Sequence, residues 1–229
     1  MSQKHQTTAL EKEFELERVI LFSDAVFAIA ITLLIIDIKW PEGEHLSGEA
    51  ESKLKLVAPM IKSFGALIIS FFFIGRFWSL HLQLFRLLQK YNQALIKRNL
   101  FFLFFIVTFP FTASGLAGHI RPGFLLPLYC YFVNIIMVSA AHFLLCRYIV
   151  KGKPSLAVPG FEAEKKYFYV RSLYTTLALT ATFVVLILAT IIFDGKIEYV
   201  TWTPASVAVF LGFARRRINK YKPANIDEY

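Results

Sequence analysis

The stretch RVILFSDAVFAIAITLLIIDIKW (residues 18–40) decides how the rest of the chain is read. It is almost wholly apolar and long enough for one membrane-crossing helix, which needs about 20 such residues. Yet Phe22, Ser23 and Asp24 place a hydroxyl and a carboxylate near its start. Aspartate at mid-membrane costs about 2.5–3.5 kcal/mol on insertion scales, so Asp24 has to face protein or a water-filled cavity. A capping role near the helix start is the simpler alternative. It is the weaker one, because apolar residues already precede Asp24 from Val19.

The composition agrees with a membrane protein. Of 229 residues, 56% are hydrophobic and only 18% charged, and the mean hydropathy is +0.54. Soluble domains are less apolar and more charged than this. The net charge of +9 does not point to nucleic acid, because the basic residues lie between apolar blocks, as topology determinants do. Residues 1–17 are polar and Glu-rich and lack the order of a secretory signal, so the first apolar segment is expected to be retained. Cys130 and Cys146 show neither disulfide-framework nor zinc spacing and are expected to serve as packing residues.

Six segments have the length and composition of spans: 18–38, 56–80, 95–116, 123–149, 168–193 and 199–213. The second is expected to continue as a helix through Leu88, since SLHLQLFRLLQK keeps its apolar period. Pro110, Pro127 and Pro204 can bend or start helices without ending spans. The last segment ends on Arg215, Arg216 and Arg217, a basic run typical of a membrane boundary. With the N-terminus inside, the inner segments hold 18 Lys and Arg and the outer ones 6, with Arg76 left inside a span. The positive-inside rule therefore puts both termini in the cytoplasm. The outer loop PEGEHLSGEAES carries Glu42, Glu44, Glu49 and Glu51. It is either a solvated loop or an acidic vestibule that concentrates cations.

Arg18 and Asp24 are six residues apart, about 600° of helical rotation or about 240° modulo a turn, so they share no face. Asp24 must find its partners on other helices. Trp78 and His81 stand three apart on the second span, and Asn99 lies near the start of the third. Antiparallel neighbours bring all of them to the depth of Asp24, where they can form a polar lock between helices. Beyond Asp24, Ile29, Leu33 and Ile36 recur at spacings of four and three, with Thr32 beside them. Such a stripe is more often a packing seam than a pore. Ala25, Ala28 and Ala30 permit close helix approach in either case.

Arg18, then three residues, then Phe22, Ser23 and Asp24, followed by AVFAIAITLL, resembles the signature of the lysosomal potassium channel family and its single-unit prokaryotic relatives. Trp78, His81 and Asn99 resemble the polar partners that this family places around Phe-Ser-Asp, and spans four to six match in architecture only. The resemblance implies an all-α integral membrane protein with six transmembrane helices per chain. It implies a homotetrameric channel whose first helix lines the pore and which has no carbonyl filter of the TVGYG kind, a stretch this sequence lacks. Carried over, Ile29 is the main constriction, with Leu33 and Ile36 further outward and Thr32 the hydroxyl that contributes to potassium preference. Arg18, Phe22, Ser23, Asp24, Trp78, His81 and Asn99 map to the signature and the network bracing the pore helix.

On this reading residues 1–17 form a cytoplasmic N-terminal segment, 18–213 the channel domain and 214–229 a basic cytoplasmic tail, in a prokaryotic plasma membrane. The expected partners are three further copies of the chain, membrane lipid, and potassium with other monovalent cations or protons. No cofactor is expected. An enzyme would need paired carboxylates, a metal cluster or a nucleophile with its base. Only Asp24 and His81 come close, while Asp37 and Asp194 lie at the outer boundary. The competing function is a proton-coupled transporter that exchanges protons between Asp24 and His81.

Overall fold

The computed structural model describes residues 2–36, 38, 50–118, 124–194 and 203–223. Seven α-helices make up the described chain: α1 (Ser2–Leu33), α2 (Ala50–Phe85), α3 (Gln93–Val107), α4 (Phe109–Gly118), α5 (Leu126–Arg147), α6 (Glu162–Ile192) and α7 (Thr203–Asn219). A π-helical turn, Tyr148–Gly152, and a 3-10 turn, Pro154–Leu156, join α5 to α6. Four helical stretches are long and apolar enough to cross a membrane: Val57–Phe85, Gln93–Leu116, Leu126–Gly152 and Glu162–Ile192. The apolar parts of α1 and α7 are shorter as helices, α1 giving way to turns at residues 34–36 and α7 having 17 residues.

Several boundaries differ from expectation. The first helix begins at Ser2, well ahead of residue 18, and carries the polar N-terminal segment as helix. Tyr91 Oη, in the loop after α2, donates to Glu15 Oε2 and ties that extension to the bundle. The second helix stops at Phe85 instead of running to Leu88. There the chain pairs with the segment after the 3-10 turn: Val158 N donates to Leu87 O at 2.8 Å and Gln89 N to Leu156 O at 2.9 Å. These backbone bonds, with Leu87 and Leu88 buried, outweigh the helical period of the local sequence. Helix α7 carries the basic run from Arg215 within it and continues to Asn219. The acidic loop around Glu42, Glu44 and Glu49, and the side chain of Glu51, lie outside the described residues.

The third span is broken in two. Thr108 separates α3 from α4, and Pro110, which has no N–H to donate, is the second residue of α4. Side chains take over at the break. Thr108 Oγ1 donates to Asn134 Oδ1 of α5 at 2.9 Å, and Asn134 Nδ2 donates to Thr112 Oγ1 at 3.2 Å. Pro127 stands at the start of α5, where its missing donor is harmless.

Packing follows chain order. Helix α1 lies against α2 and α3, α2 against α4, α3 and α4 against α5, α5 against α6, and α6 along α7. Two apolar layers result. One holds Leu16, Leu84, Phe85, Leu95, Leu145 and Ile149. The other holds Phe27, Ile74, Phe77, Phe102, Ile106 and Phe109. In a bilayer such layers are held by close van der Waals contact, because lipid tails are as apolar as the side chains they would replace. Cys146 is buried in the first layer, whereas Cys130 is exposed and does not pack as expected; both are free thiols.

Candidate functional site

The polar residues singled out on the first three spans meet where the two apolar layers abut. On α1, Ser23 lies between Leu16 and Phe27. On α2, His81 lies between Phe77 and Leu84, and on α3, Asn99 lies between Leu95 and Phe102. Ser23 and His81 are fully buried and Asn99 is 1% exposed. Buried polar groups must hydrogen-bond or lose free energy, and these three satisfy one another. Ser23 Oγ donates to Val19 O at 2.8 Å, one helical turn back. Having spent its hydrogen, it accepts from Asn99 Nδ2 at 2.8 Å. Asn99 Oδ1 therefore faces His81 Nε2 at 2.9 Å, and because a carbonyl oxygen only accepts, Nε2 carries the hydrogen.

The other ring nitrogen, His81 Nδ1, has no partner among the described residues. Aromatic rings surround it. Phe85 stacks on the imidazole with centroids 4.1 Å apart, and Phe102 lies nearly parallel at 5.7 Å, an interplanar angle of 7°. Phe27 of α1 closes in at 5.7 Å.

Asp24 has a different partner. Trp78 Nε1 donates to Asp24 Oδ1 at 2.8 Å, a charge-assisted bond between α2 and α1. The expected single lock around the carboxylate is thus two limbs: Trp78 holds Asp24, while His81 and Asn99 hold Ser23. Trp78 and His81, three residues apart, diverge in environment, for Trp78 is 41% exposed and His81 is not exposed at all. Small rotations suffice for this, because the Asp24 limb lies at the rim of the α1–α2 contact and the Ser23 limb lies under it. Arg18 is exposed and forms no ion pair with Asp24, as their angular offset requires.

Helix α1 has two opposed stripes. Leu16, Ser23, Phe27, Ala30 and Leu34 are buried, at spacings of seven, four, three and four. Opposite them, Phe22, Ala25, Ile29, Thr32, Leu33 and Ile36 are exposed, Ile29 at 59% and Ile36 at 68%. Of the three alanines, only Ala30 is used for helix contact within the protomer. Thr32 Oγ1 donates to Ile29 O at 2.9 Å, so its hydroxyl hydrogen is turned back to the helix and its oxygen lone pairs remain outward.

Other polar contacts were not anticipated from the sequence. Ser70 Oγ meets Tyr131 Oη at 3.0 Å, His142 Nδ1 meets Ser172 Oγ at 3.1 Å, and Ser139 Oγ meets Thr176 Oγ1 at 2.8 Å. Arg171 donates to Gln83 Oε1 at 2.8 Å. The signal that could have found them is the presence of Asn134, His142 and Arg171 within otherwise apolar spans, where polar residues need partners. No group of His, Cys, Asp and Glu suited to a metal ion occurs among the described residues.

Comparison with known proteins places this arrangement. Residues 18–110, which contain the whole Ser23–Asp24 network, match the family model described as the endosomal/lysosomal potassium channel TMEM175. A potassium channel of Chryseobacterium sp. is 27% identical over 165 residues, 71% of this chain and 80% of that protein. A potassium channel of Streptomyces collinus is 38% identical over 104 residues, 45% of this chain and 48% of its own length. The crystal structure of a lysosomal potassium-selective channel TMEM175 homologue from Chamaesiphon minutus has the same fold. It superposes with a TM-score of 0.68 at 22% identity, covering 90% of this chain and 98% of that one. Residues 18–110 thus resemble the TMEM175 family, and the chain shares the fold of the Chamaesiphon minutus channel over 90% of its length.

Proposed function

We propose that the protein is a potassium-permeable cation channel of weak to moderate selectivity, four copies of which surround a path lined by α1. The observation that carries this reading is the exposed stripe of α1. Helix α1 is braced from behind by two polar limbs, yet it turns Phe22, Ala25, Ile29, Thr32, Leu33 and Ile36 away from its own protomer. Brought together around an axis, four such stripes make a narrow apolar passage that an ion crosses only by shedding water or after the passage wets. Ile29 is the main constriction, Leu33 and Ile36 lie further outward, and Thr32 supplies lone pairs at the same level. The relatives, each named a potassium channel, support potassium as the permeating ion. With the N-terminus in the cytoplasm, the excess of Lys and Arg on inner segments puts the C-terminus there too, and the bacterial relatives support a prokaryotic membrane.

The proton-coupled alternative needs direct exchange between Asp24 and His81. Their hydrogen bonds go elsewhere, to Trp78 and to Asn99. Purified protein in liposomes should pass potassium passively down its gradient, at least as readily as sodium, and run as a tetramer in detergent. Saturable flux that requires a proton gradient would overturn the channel reading.

A further inference from the structure

Arg76 is the one Lys or Arg that topology does not explain, and a second arginine meets it. A cavity of about 560 Å³ lies between α2, α5, α6 and α7, lined by Arg76, Arg171, Arg215 and Lys222. Its lining contains no Asp or Glu. Arg76 lies nine residues before Phe85, the end of α2, and Arg171 nine residues after Glu162, the start of α6. At ~1.5 Å per residue both lie ~14 Å in from those ends. Charged groups within a membrane span ordinarily pair with an opposite charge. Among the described residues neither arginine has a carboxylate partner. Arg171 gives one N–H to Gln83 Oε1 at 2.8 Å and rests against the rings of Tyr167 and Phe168. Like charges facing one cavity repel each other, and an anion between them removes the repulsion.

We propose that this cavity binds a phosphate group, carried either by an anionic lipid headgroup or by free inorganic phosphate. The donor set suits that chemistry. Guanidinium groups present paired N–H donors that match phosphate oxygens, and they are less strongly hydrated than lysine. Ser172 and Asn219 add neutral polar groups to the lining. Arg215 near the end of α7 and Lys222 just beyond it add two further basic residues to the lining. The volume is within the ~300–1,000 Å³ of ordinary ligand pockets.

The test uses the full chain in uncharged detergent, with thermal unfolding followed by tryptophan fluorescence. One arm adds inorganic phosphate against chloride at matched ionic strength. The other adds short-chain phosphatidylglycerol against the corresponding diacylglycerol, which lacks the phosphate. A ligand that binds only the folded state raises the midpoint. The expected result is a rise with at least one phosphate source, and an affinity at least about tenfold weaker in Arg76→Gln and in Arg215→Gln. Arg76 and Arg215 are both exposed and lie on different helices, so each variant reports independently of the other. A response to both sources identifies the phosphate itself as the ligand, a response to phosphatidylglycerol alone a lipid site, and a response to inorganic phosphate alone a site for the free ion. No rise with either source overturns the proposal. So does an equal loss in Lys97→Gln, a basic residue outside the cavity, because it would reduce the effect to diffuse attraction.

Discussion

Asn99 holds Ser23 and leaves Asp24 to Trp78. Its amide nitrogen lies 2.8 Å from Ser23 Oγ, while the carboxylate one residue further takes the indole N–H at the same distance. Two adjacent residues of α1 are therefore gripped by two different helices, α3 and α2. That arrangement fixes both the rotation and the height of α1, because a slip of one residue would exchange the buried hydroxyl for the charge.

Asn99→Leu should test the inner limb. It strands the hydrogen on His81 Nε2, which has no other described partner, and strands Ser23 less severely. A buried polar group left unsatisfied costs about 1–3 kcal/mol. Chemical unfolding of the purified protein in detergent should show a loss of that order, and unchanged stability would mean that the limb is not held in the folded protein.

Asp24 and Trp78 should be coupled. In a double-mutant cycle of Asp24→Ala and Trp78→Phe, contacting residues typically show an interaction energy of about 0.5–3 kcal/mol. The two single variants should also weaken tetramers more than they alter ion preference. Additive losses, or intact tetramers with changed selectivity, would contradict the bracing role.

Ile29→Asn should raise potassium flux or lower its preference over sodium. A polar side chain keeps water in a passage that four isoleucines would dewet. Reconstituted flux in liposomes measures both quantities. An unchanged current would remove Ile29 from the conduction path.

Outside the membrane, Tyr91 offers a pH test. Its hydrogen bond to the Glu15 carboxylate holds the phenol above its ordinary value of 10.0. The bond's contribution is fully present below the unfolded pKa and is lost as pH rises through the raised one. Ultraviolet titration should show one tyrosine ionising earlier in Glu15→Gln than in the unaltered protein. Identical curves would show that the bond does not form in solution.

The apolar runs and the residue types within them were legible before any coordinates. Hydrocarbon leaves the backbone no outside partner, so a run of about 20 apolar residues has to be helix. Hence the helical stretches 57–85, 93–116, 126–152 and 162–192 overlap the spans expected at 56–80, 95–116, 123–149 and 168–193. The angular offset of Arg18 from Asp24 was equally legible, being set by the geometry of one helix. Of the network residues named from the sequence, Ser23, Asp24, Trp78, His81 and Asn99 take part in hydrogen bonds between helices, while Arg18 and Phe22 are exposed.

Which of them pair was not legible, and neither was the end of α2. Pairing depends on the rotation and height of each helix relative to its neighbours. Those are set by how side chains such as Phe27, Phe77 and Phe102 interlock, not by any spacing along one chain. The end of α2 was decided in the same way, by residues 156–158 offering Leu87 and Gln89 backbone partners that lie some 70 positions away. A carboxylate inside an apolar stretch announces that a partner exists. Only the packed helices decide that the partner is Trp78.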